Sequence, residues 1–315
     1  MFRKIIITTD FLHGGYMNNR IYSDLALESS YALRGNIKKA GEYSETERNG
    51  IKICRLDISS QALAEKYRRS RGIYITAICG KIWLFSEQEL ENTAMAVGEE
   101  LRAMITELCG CKISKDFSVL VAGLGNAEIT PDAIGPRTVS RLTVTRHIPR
   151  ISEKIFNDLG QCTVSAIAPG VLAQTGIETL ELIRGAVSST SPDIVIAIDA
   201  LAARSCERLA ATVQISDSGI SPGSGIGNLR KAINRENIGV PVIALGVPTV
   251  VDSATLVYDA LERAGIECIE EKLRNVLDND KGFFVSPKES DVIADSVSLL
   301  IAKAIDFALR ADSLR

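Results

Sequence analysis

Two aspartates, Asp132 and Asp199, are the residues of this chain whose type and position best suit catalysis. Each follows a continuous apolar run, of the kind that forms a buried strand in a parallel sheet. Ligands of such sheets gather at the carboxyl ends of the strands. Two carboxylates that meet there about 3 Å apart cannot both ionise, so they share one proton and can activate water. The pair therefore indicates hydrolysis.

Each aspartate also has a purely structural interpretation. Asp132 lies in a Thr-Pro-Asp sequence that is typical of a helix start, so it could act only as a cap. Asp199 precedes Ala-Leu-Ala and could cap a predicted helix over 201–209. A carboxylate that emerges directly from a buried strand still needs a partner, because burying an isolated charge is costly.

Glycine-rich turns lie near both aspartates. Asn126, in the Gly-Leu-Gly-Asn turn after the first apolar run, could steady the aspartates or an oxyanion. The loop with Gly223, Gly225 and Gly227 could admit a substrate backbone. This loop lacks the Lys-Ser/Thr of a phosphate-binding loop. The earlier turn has Glu128 where a dinucleotide motif needs its third glycine. We therefore predict no cofactor.

Other catalytic arrangements are weaker. Asp217-Ser-Gly matches the triplet of pepsin-like proteases, but those enzymes are all-β and bring two such triplets together. Ser165, Ser205 and Ser224 lack the G-x-S-x-G elbow of serine hydrolases, and seven scattered cysteines with two histidines do not suggest a zinc cage. His147 is interpreted as structural or exposed. No bound metal is predicted.

The composition predicts an intracellular protein without a nucleic-acid or membrane partner. Its 315 residues carry 36 Lys+Arg against 39 Asp+Glu, for a net charge of -3, and no long basic block. No secretory leader is expected, and no apolar run approaches the length of about 18 residues that a membrane span requires. An odd number of scattered cysteines favours reduced thiols in the cytoplasm.

Alternating strand and helix patterns predict a doubly wound, mostly parallel α/β sheet flanked by helices, with an elaborated N-terminal region. Residues 1–21 are predicted to be an N-terminal arm and residues 22–315 one domain. The predicted strands are 51–56, 73–79, 117–123, 163–167, 194–198, 213–216 and 240–247. The predicted helices are 59–69, a long one that opens at Ser86, 133–144, 177–190, 201–209, 253–263 and 290–310.

Many short segments of the chain resemble segments of the germination proteases of spore-forming Firmicutes, and they occur in the same order. They are densest from residue 117 to 258. The matching segments are 123–126, 130–136, 144–147, 168–170, 175–179, 195–204, 214–220, 222–228 and 246–252, with weaker likeness at 22–28 and 285–289. Tyr22 and Ser23 replace the Arg and Thr that the family usually has, which puts the efficiency of processing in question.

The resemblance implies an atypical aspartic endopeptidase on a fold related to hydrogenase-maturation peptidases. Its two proposed catalytic aspartates fall on Asp132 and Asp199. The family degrades small acid-soluble spore proteins in the spore core. It is made as a zymogen that removes its own arm, here expected between Tyr16 and Ile21, and it forms homo-oligomers, by resemblance tetramers.

Two rival functions remain open at this point. A metal-dependent peptidase of the hydrogenase-maturation type would need acids and a histidine at the strand ends, and only His147 lies in the matching half. A non-catalytic binder of spore proteins is the other alternative, although the presence of both aspartates disfavours it.

Overall fold

The computed structural model of this chain describes residues 23–32, 42–221, 231–266, 270–279 and 283–312. These residues form one nine-stranded sheet with helices on both faces, which confirms the predicted doubly wound α/β class. Among the helices of these ranges, none combines the length and the apolar character that a membrane crossing requires.

The strands are β1 (Tyr43–Arg48), β2 (Ile51–Ile58), β3 (Gly72–Ile78), β4 (Ser118–Gly123), β5 (Thr163–Ile167), β6 (Ile194–Ala203), β7 (Thr212–Ser216), β8 (Val242–Asp252) and β9 (Phe284–Val285). Their order is β1-β2-β3-β7-β8-β6-β4-β5, with β9 paired to β8. Strands β5, β4, β6 and β8 are mutually parallel, whereas all the other pairings are antiparallel. The sheet therefore has a parallel half and an antiparallel half.

The helices are α1 (Ala26–Ala32), α2 (Gln61–Tyr67), α3 (Glu87–Cys109), α4 (Ile134–Val139), α5 (Glu153–Leu159), α6 (Leu172–Thr175), α7 (Thr179–Thr190), α8 (Arg235–Ile238), α9 (Ser253–Arg263), α10 (Glu271–Asn279) and α11 (Ser290–Ala308). The predicted capping box at the start of α3 is present: the Ser86 hydroxyl accepts from Glu89 N, and the Glu89 carboxylate accepts from Ser86 N.

Alternate residues of the central strands enter two separate cores. Ile194, Ile196 and Ile198 of β6 contact the core that contains α3 and α11. Val195 and Ala197 lie on the opposite face with α7 and α8. Because both faces are covered, the strand is apolar throughout, as a parallel strand should be. Burial on both sides fixes the carboxyl end of β6, where Asp199 lies.

Several local predictions were wrong in an informative way. The predicted helix over 201–209 does not form, because β6 continues to Ala203 beside β8 and only a 3-10 turn, Cys206–Arg208, follows. The helix predicted over 133–144 is shorter, ending at Val139. Strand β1 was not predicted, since its sequence Tyr-Ser-Glu-Thr-Glu-Arg is polar and almost wholly exposed.

Candidate active site

Asp199 lies within β6, where it pairs with Gly246 of β8. Only 8% of the residue is exposed. Its Oδ1 accepts a hydrogen bond of 2.9 Å from the N–H of Ala200. Since no helix begins at Leu201, the capping interpretation of Asp199 is wrong. A strand instead carries this buried carboxylate to the edge of the parallel half.

Asp132 ends the 3-10 turn Thr130–Asp132, which lies between β4 and α4. Its Oδ2 accepts a 2.6 Å hydrogen bond from Asn126 N. Helix α4 has no side-chain cap, so Asp132 does not serve as the cap of that helix. The carboxylate is therefore fixed by the preceding turn, and the residue itself is half-buried.

The Asp132 turn depends on a glycine at position 125. Gly125 has φ +107°, a left-handed conformation that side chains rarely adopt. A Cβ there would lie 2.0 Å from the main-chain oxygen of Asp132 and 2.9 Å from its Oδ1. The close approach of the two loop segments requires the absence of a side chain.

One cavity of about 430 Å³ is lined by both predicted catalytic aspartates. The turn with Asp132 contacts both β6 and β8, so it lies over the carboxyl ends of those strands. A third carboxylate residue, Asp24, also lines the cavity. None of the described residues that line it is Lys, Arg or His. Much of the remaining wall is apolar and includes Ile129, Pro131, Leu201, Val250 and Phe284.

Asn126 supports the Asp132 turn without lining the cavity. Besides the bond from its N–H to Asp132, its Oδ1 accepts from Glu128 N at 3.0 Å and from Gln174 Nε2 at 2.8 Å. Asn126 therefore holds the turn, and its amide side chain is occupied with neighbouring loop residues. The role it was predicted to play toward an oxyanion stays a prediction.

The predicted glycine loop with Gly223, Gly225 and Gly227 lies outside the described residues. Two residues just before it, Ile220 and Ser221, line the cavity. Its proposed part in admitting a substrate stays a prediction.

Sequence reasoning missed Asp24 as a residue of this site. Asp24 N donates to Ala202 O, and Ala202 N donates to Asp24 Oδ2, both at 2.8 Å. Nearby, the buried Glu28 accepts from Arg204 N at 2.7 Å and from Ser205 N at 3.1 Å. The only available signal was the family-like Ser-Asp-Leu-Ala-Leu-Glu phrase, which does not itself indicate a contact with β6.

The same N-terminal segment also contacts the antiparallel half. Gln214 of β7 donates through Nε2 to Asp24 O at 3.1 Å and accepts through Oε1 from Ala26 N at 2.7 Å. Leu25 is fully buried. The segment thus joins the end of β6 to β7.

Other candidate residues lie elsewhere. His147 is exposed at the start of a 3-10 turn. Asp217 accepts a hydrogen bond from Ile73 N at 2.6 Å. The pKa of its carboxyl is raised, mainly because the group is buried. It lines a different cavity from Asp132 and Asp199. In the part of the chain that the structure describes, no cluster of three His, Cys, Asp or Glu side chains is arranged to hold a metal.

The family model and the relatives found by comparison with known proteins carry the same description. Residues 32–264 match the family model described as germination protease. The germination protease of Clostridium acetobutylicum is 37% identical, with 93% of this chain and 96% of that protein aligned. That of Clostridium perfringens strain 13 is 40% identical over 92% of this chain and 95% of the relative. The Bacillus subtilis protein is 43% identical over 77% of this chain and 66% of its own length.

A solved structure also gives a match, the [NiFe] hydrogenase maturation protease HycI of Thermococcus kodakarensis. It is 16% identical, with a TM-score of 0.34, covering 64% of this chain and 98% of that one. This likeness is too slight to carry an argument. The family model spans more than half of the chain and the clostridial relatives nearly all of it, so this chain belongs to the germination protease family of peptidases.

Proposed function

We propose that this protein is an endopeptidase that begins the degradation of small acid-soluble spore proteins, and that Asp132 and Asp199 activate the attacking water. The observation that carries the proposal is that these two residues, distant in sequence, line one cavity at the carboxyl ends of parallel strands. Membership of the germination protease family supports the spore-protein substrate.

In the proposed mechanism, the two carboxyl groups share a single proton. The charged carboxylate draws a proton from water, and its protonated partner donates to the carbonyl oxygen of the scissile bond. The two roles belong to the pair, because coupled titrations do not assign a proton to one member. The apolar walls would keep bulk water away from the reacting groups, which strengthens electrostatic interactions there.

We also propose that the enzyme removes its own N-terminal arm, cutting between Tyr16 and Ile21, and acts as a homo-oligomer in the cytoplasm of the spore. Residue 24 lines the cavity, so the chain just after the predicted arm is already at the site. A short connection of this kind favours a cut within the same molecule, since the local concentration of a tethered segment is high.

The test compares wild type with Asp132→Asn and Asp199→Asn. Each variant should slow both arm loss and spore-protein cleavage by about 100- to 10,000-fold, the range over which general acid and base groups act. Intact-mass measurement follows the arm, and gel analysis follows a purified small acid-soluble spore protein. Asp217→Asn is the matched control, because it also alters a partly buried carboxylate but one outside the cavity.

Cleavage by either cavity variant at the wild-type rate would contradict the aspartate mechanism. Loss of wild-type cleavage on adding a chelator, with recovery on adding metal, would favour the metal-dependent rival. Binding of the spore protein without cleavage at every pH would favour a non-catalytic binder.

A further inference from the structure

Strand β6 extends beyond its neighbour β4. The last paired residues of these two strands are Gly123 and Ile198, and Leu124 N then donates to Ile198 O at 2.8 Å. Strand β6 continues from there to Ala203, with β8 beside it on the other side. Residues 199–203 therefore have one edge that β4 does not cover.

The main-chain groups of alternate residues face this uncovered edge. Val195 N donates toward β8, to Pro241 O at 3.0 Å, so the odd-numbered residues face β8. Ile198 and Ala202 face the opposite side, where Leu124 and Asp24 bind them. By the same alternation the N–H and C=O of Ala200 face the edge between those two attachments.

Among the residues that the structure describes, Ala200 has no strand partner on this side. The pairing of β6 with β4 stops at Ile198, and Asp24 begins to cover the edge only at Ala202. The N–H of Ala200 donates instead to the carboxylate of the preceding residue, Asp199. Ala200 is also the single residue of β6 that is not buried, and it lines the cavity with Asp132 and Asp199.

From this we infer that Ala200 binds the main chain of the substrate, so that the substrate extends the sheet at this edge by one paired residue. A substrate N–H would donate to Ala200 O, and a substrate carbonyl would accept from Ala200 N–H. The scissile segment would then lie against the residue next to Asp199. The inference rests on the proposed function and adds how its substrate is recognised.

This geometry favours an extended, unfolded substrate segment. The attachments at Ile198 and Ala202 are about 13 Å apart along the strand, at about 3.3 Å per residue, so only a short stretch of chain can pair between them. A helical segment cannot pair, because its own backbone bonds use the same groups. Since the pairing is between main chains, it tolerates varied substrate side chains.

Binding would also alter the surroundings of Asp199. The Ala200 N–H now donates to Asp199 Oδ1. When a substrate carbonyl takes that donor, Asp199 Oδ1 loses this hydrogen bond, so the surroundings of the proposed catalytic carboxylate change.

The test uses the Asp132→Asn protein and peptides that span the bond which wild type cuts in a small acid-soluble spore protein, located by mass spectrometry. Each peptide bond in turn is replaced by an ester, which lacks the N–H but adds no bulk. Calorimetry should show one position at which affinity falls by about tenfold, with its immediate neighbours changed by less than about twofold.

Hydrogen exchange gives a second readout on the protein itself. Saturating amide peptide should slow exchange of the Ala200 N–H by at least about tenfold, while the N–H of Ala202, already bonded to Asp24, serves as the internal control. Equal binding of all ester peptides, or unchanged exchange at Ala200, would overturn the inference. If wild type cuts no spore protein, the proposed function fails before this stage, so the two failures are distinguishable.

Discussion

The parallel and antiparallel halves of the sheet each hold a partly or fully buried carboxylate, but in different settings. In the parallel half, Asp199 lies next to Ala200, whose edge β4 does not cover, and shares a cavity with Asp132. In the antiparallel half, Asp217 follows β7 and accepts from Ile73 N, with no second predicted catalytic acid in its cavity. Burial alone therefore does not distinguish a candidate catalytic acid from a structural one.

The difference follows from topology. Parallel strands end together at one edge of the sheet. Residues that follow β4 and the last residues of β6 and β8 therefore converge there, although they are distant in sequence. In the antiparallel half, neighbouring strands end at opposite edges, so the residues that follow them do not converge in this way. The following substitutions test whether the candidate catalytic acids lie in the parallel half and the structural acid in the antiparallel half.

The largest effect outside the aspartates themselves is expected from Gly125→Ala. The new Cβ would meet the main-chain oxygen of Asp132 at 2.0 Å, so the turn must shift. We expect a loss of about 3 kcal/mol in the free energy of unfolding, from steric overlap and the left-handed backbone, together with loss of cleavage. Urea unfolding and a spore-protein cleavage assay measure the two effects.

Gly110→Ala is its control, because Gly110 also has a positive φ, at 65°, but no atom within 4 Å of the new Cβ. It should cost about 1 kcal/mol and leave the cleavage rate of the folded protein unchanged. Equal loss of cleavage in the two variants would mean that backbone strain, rather than contact with Asp132, explains the effect.

Asp24→Ala should have the next largest effect. It leaves Ala202 N–H without its acceptor, which costs about 1–3 kcal/mol, and it loosens the end of β6 beside the cavity. Asp24→Asn keeps an acceptor oxygen and should restore both stability and cleavage. If Asn proves as damaging as Ala, the negative charge of Asp24 matters, and its role is not confined to holding β6. Glu28→Gln tests the neighbouring hydrogen bonds that the Glu28 carboxylate accepts from Arg204 N and Ser205 N, outside the cavity.

Asp217 should give the antiparallel half a distinct dependence on pH. Burial chiefly raises the pKa of its carboxyl, with smaller contributions from Glu107 and Asp57, against a lowering by the bond from Ile73 N. The folded state then holds the proton more tightly than the unfolded one, whose pKa is about 3.9. This contribution is complete below the unfolded pKa and is lost as the pH rises through the folded pKa.

Asp217→Asn removes that titration while keeping an acceptor for Ile73 N. Its free energy of unfolding, relative to wild type, should therefore rise as the pH increases from about 4 through the folded pKa. Urea unfolding at a series of pH values measures the difference. A difference that stays constant over this range would show that Asp217 has the same pKa in both states.

The smallest effect is expected from Ser86→Ala at the start of α3. Loss of the capping box should lower the free energy of unfolding by about 1 kcal/mol. Because α3 contacts the core rather than the cavity, the cleavage rate measured well below the unfolding temperature should be unchanged. A changed rate would connect this core to the site and weaken the division between them.

Much of the fold could be predicted from local sequence. The bounds of β5 and α9 are those that the sequence predicts, and α3 begins at its capping box. The error at 201–209 arose because Ala and Leu favour helix, whereas pairing with β8 keeps residues to Ala203 in the strand. Polar β1 gave no alternating pattern, since it is an exposed edge.

The candidate site was predictable only in part. Asp132 and Asp199 each follow a recognisable apolar run, so their placement near strand ends could be inferred. The contact of Asp24 with Ala202 joins residues 178 apart and depends on where β4 stops. No local pattern carries that information. The uncovered edge at Ala200 likewise follows from unequal strand lengths, which only the assembled sheet determines.

The buried docking of residues 24–28 sets a natural limit to trimming of the N-terminus. Asp24, Ala26 and Glu28 all have main-chain or side-chain bonds to β6 or β7 or to the residues that follow β6, and Leu25 is enclosed. A peptidase needs its scissile segment free and extended, so this stretch resists digestion while the molecule stays folded. If the arm is removed as proposed, its removal would thus be self-limiting, and the processed protein should begin at or before Ser23.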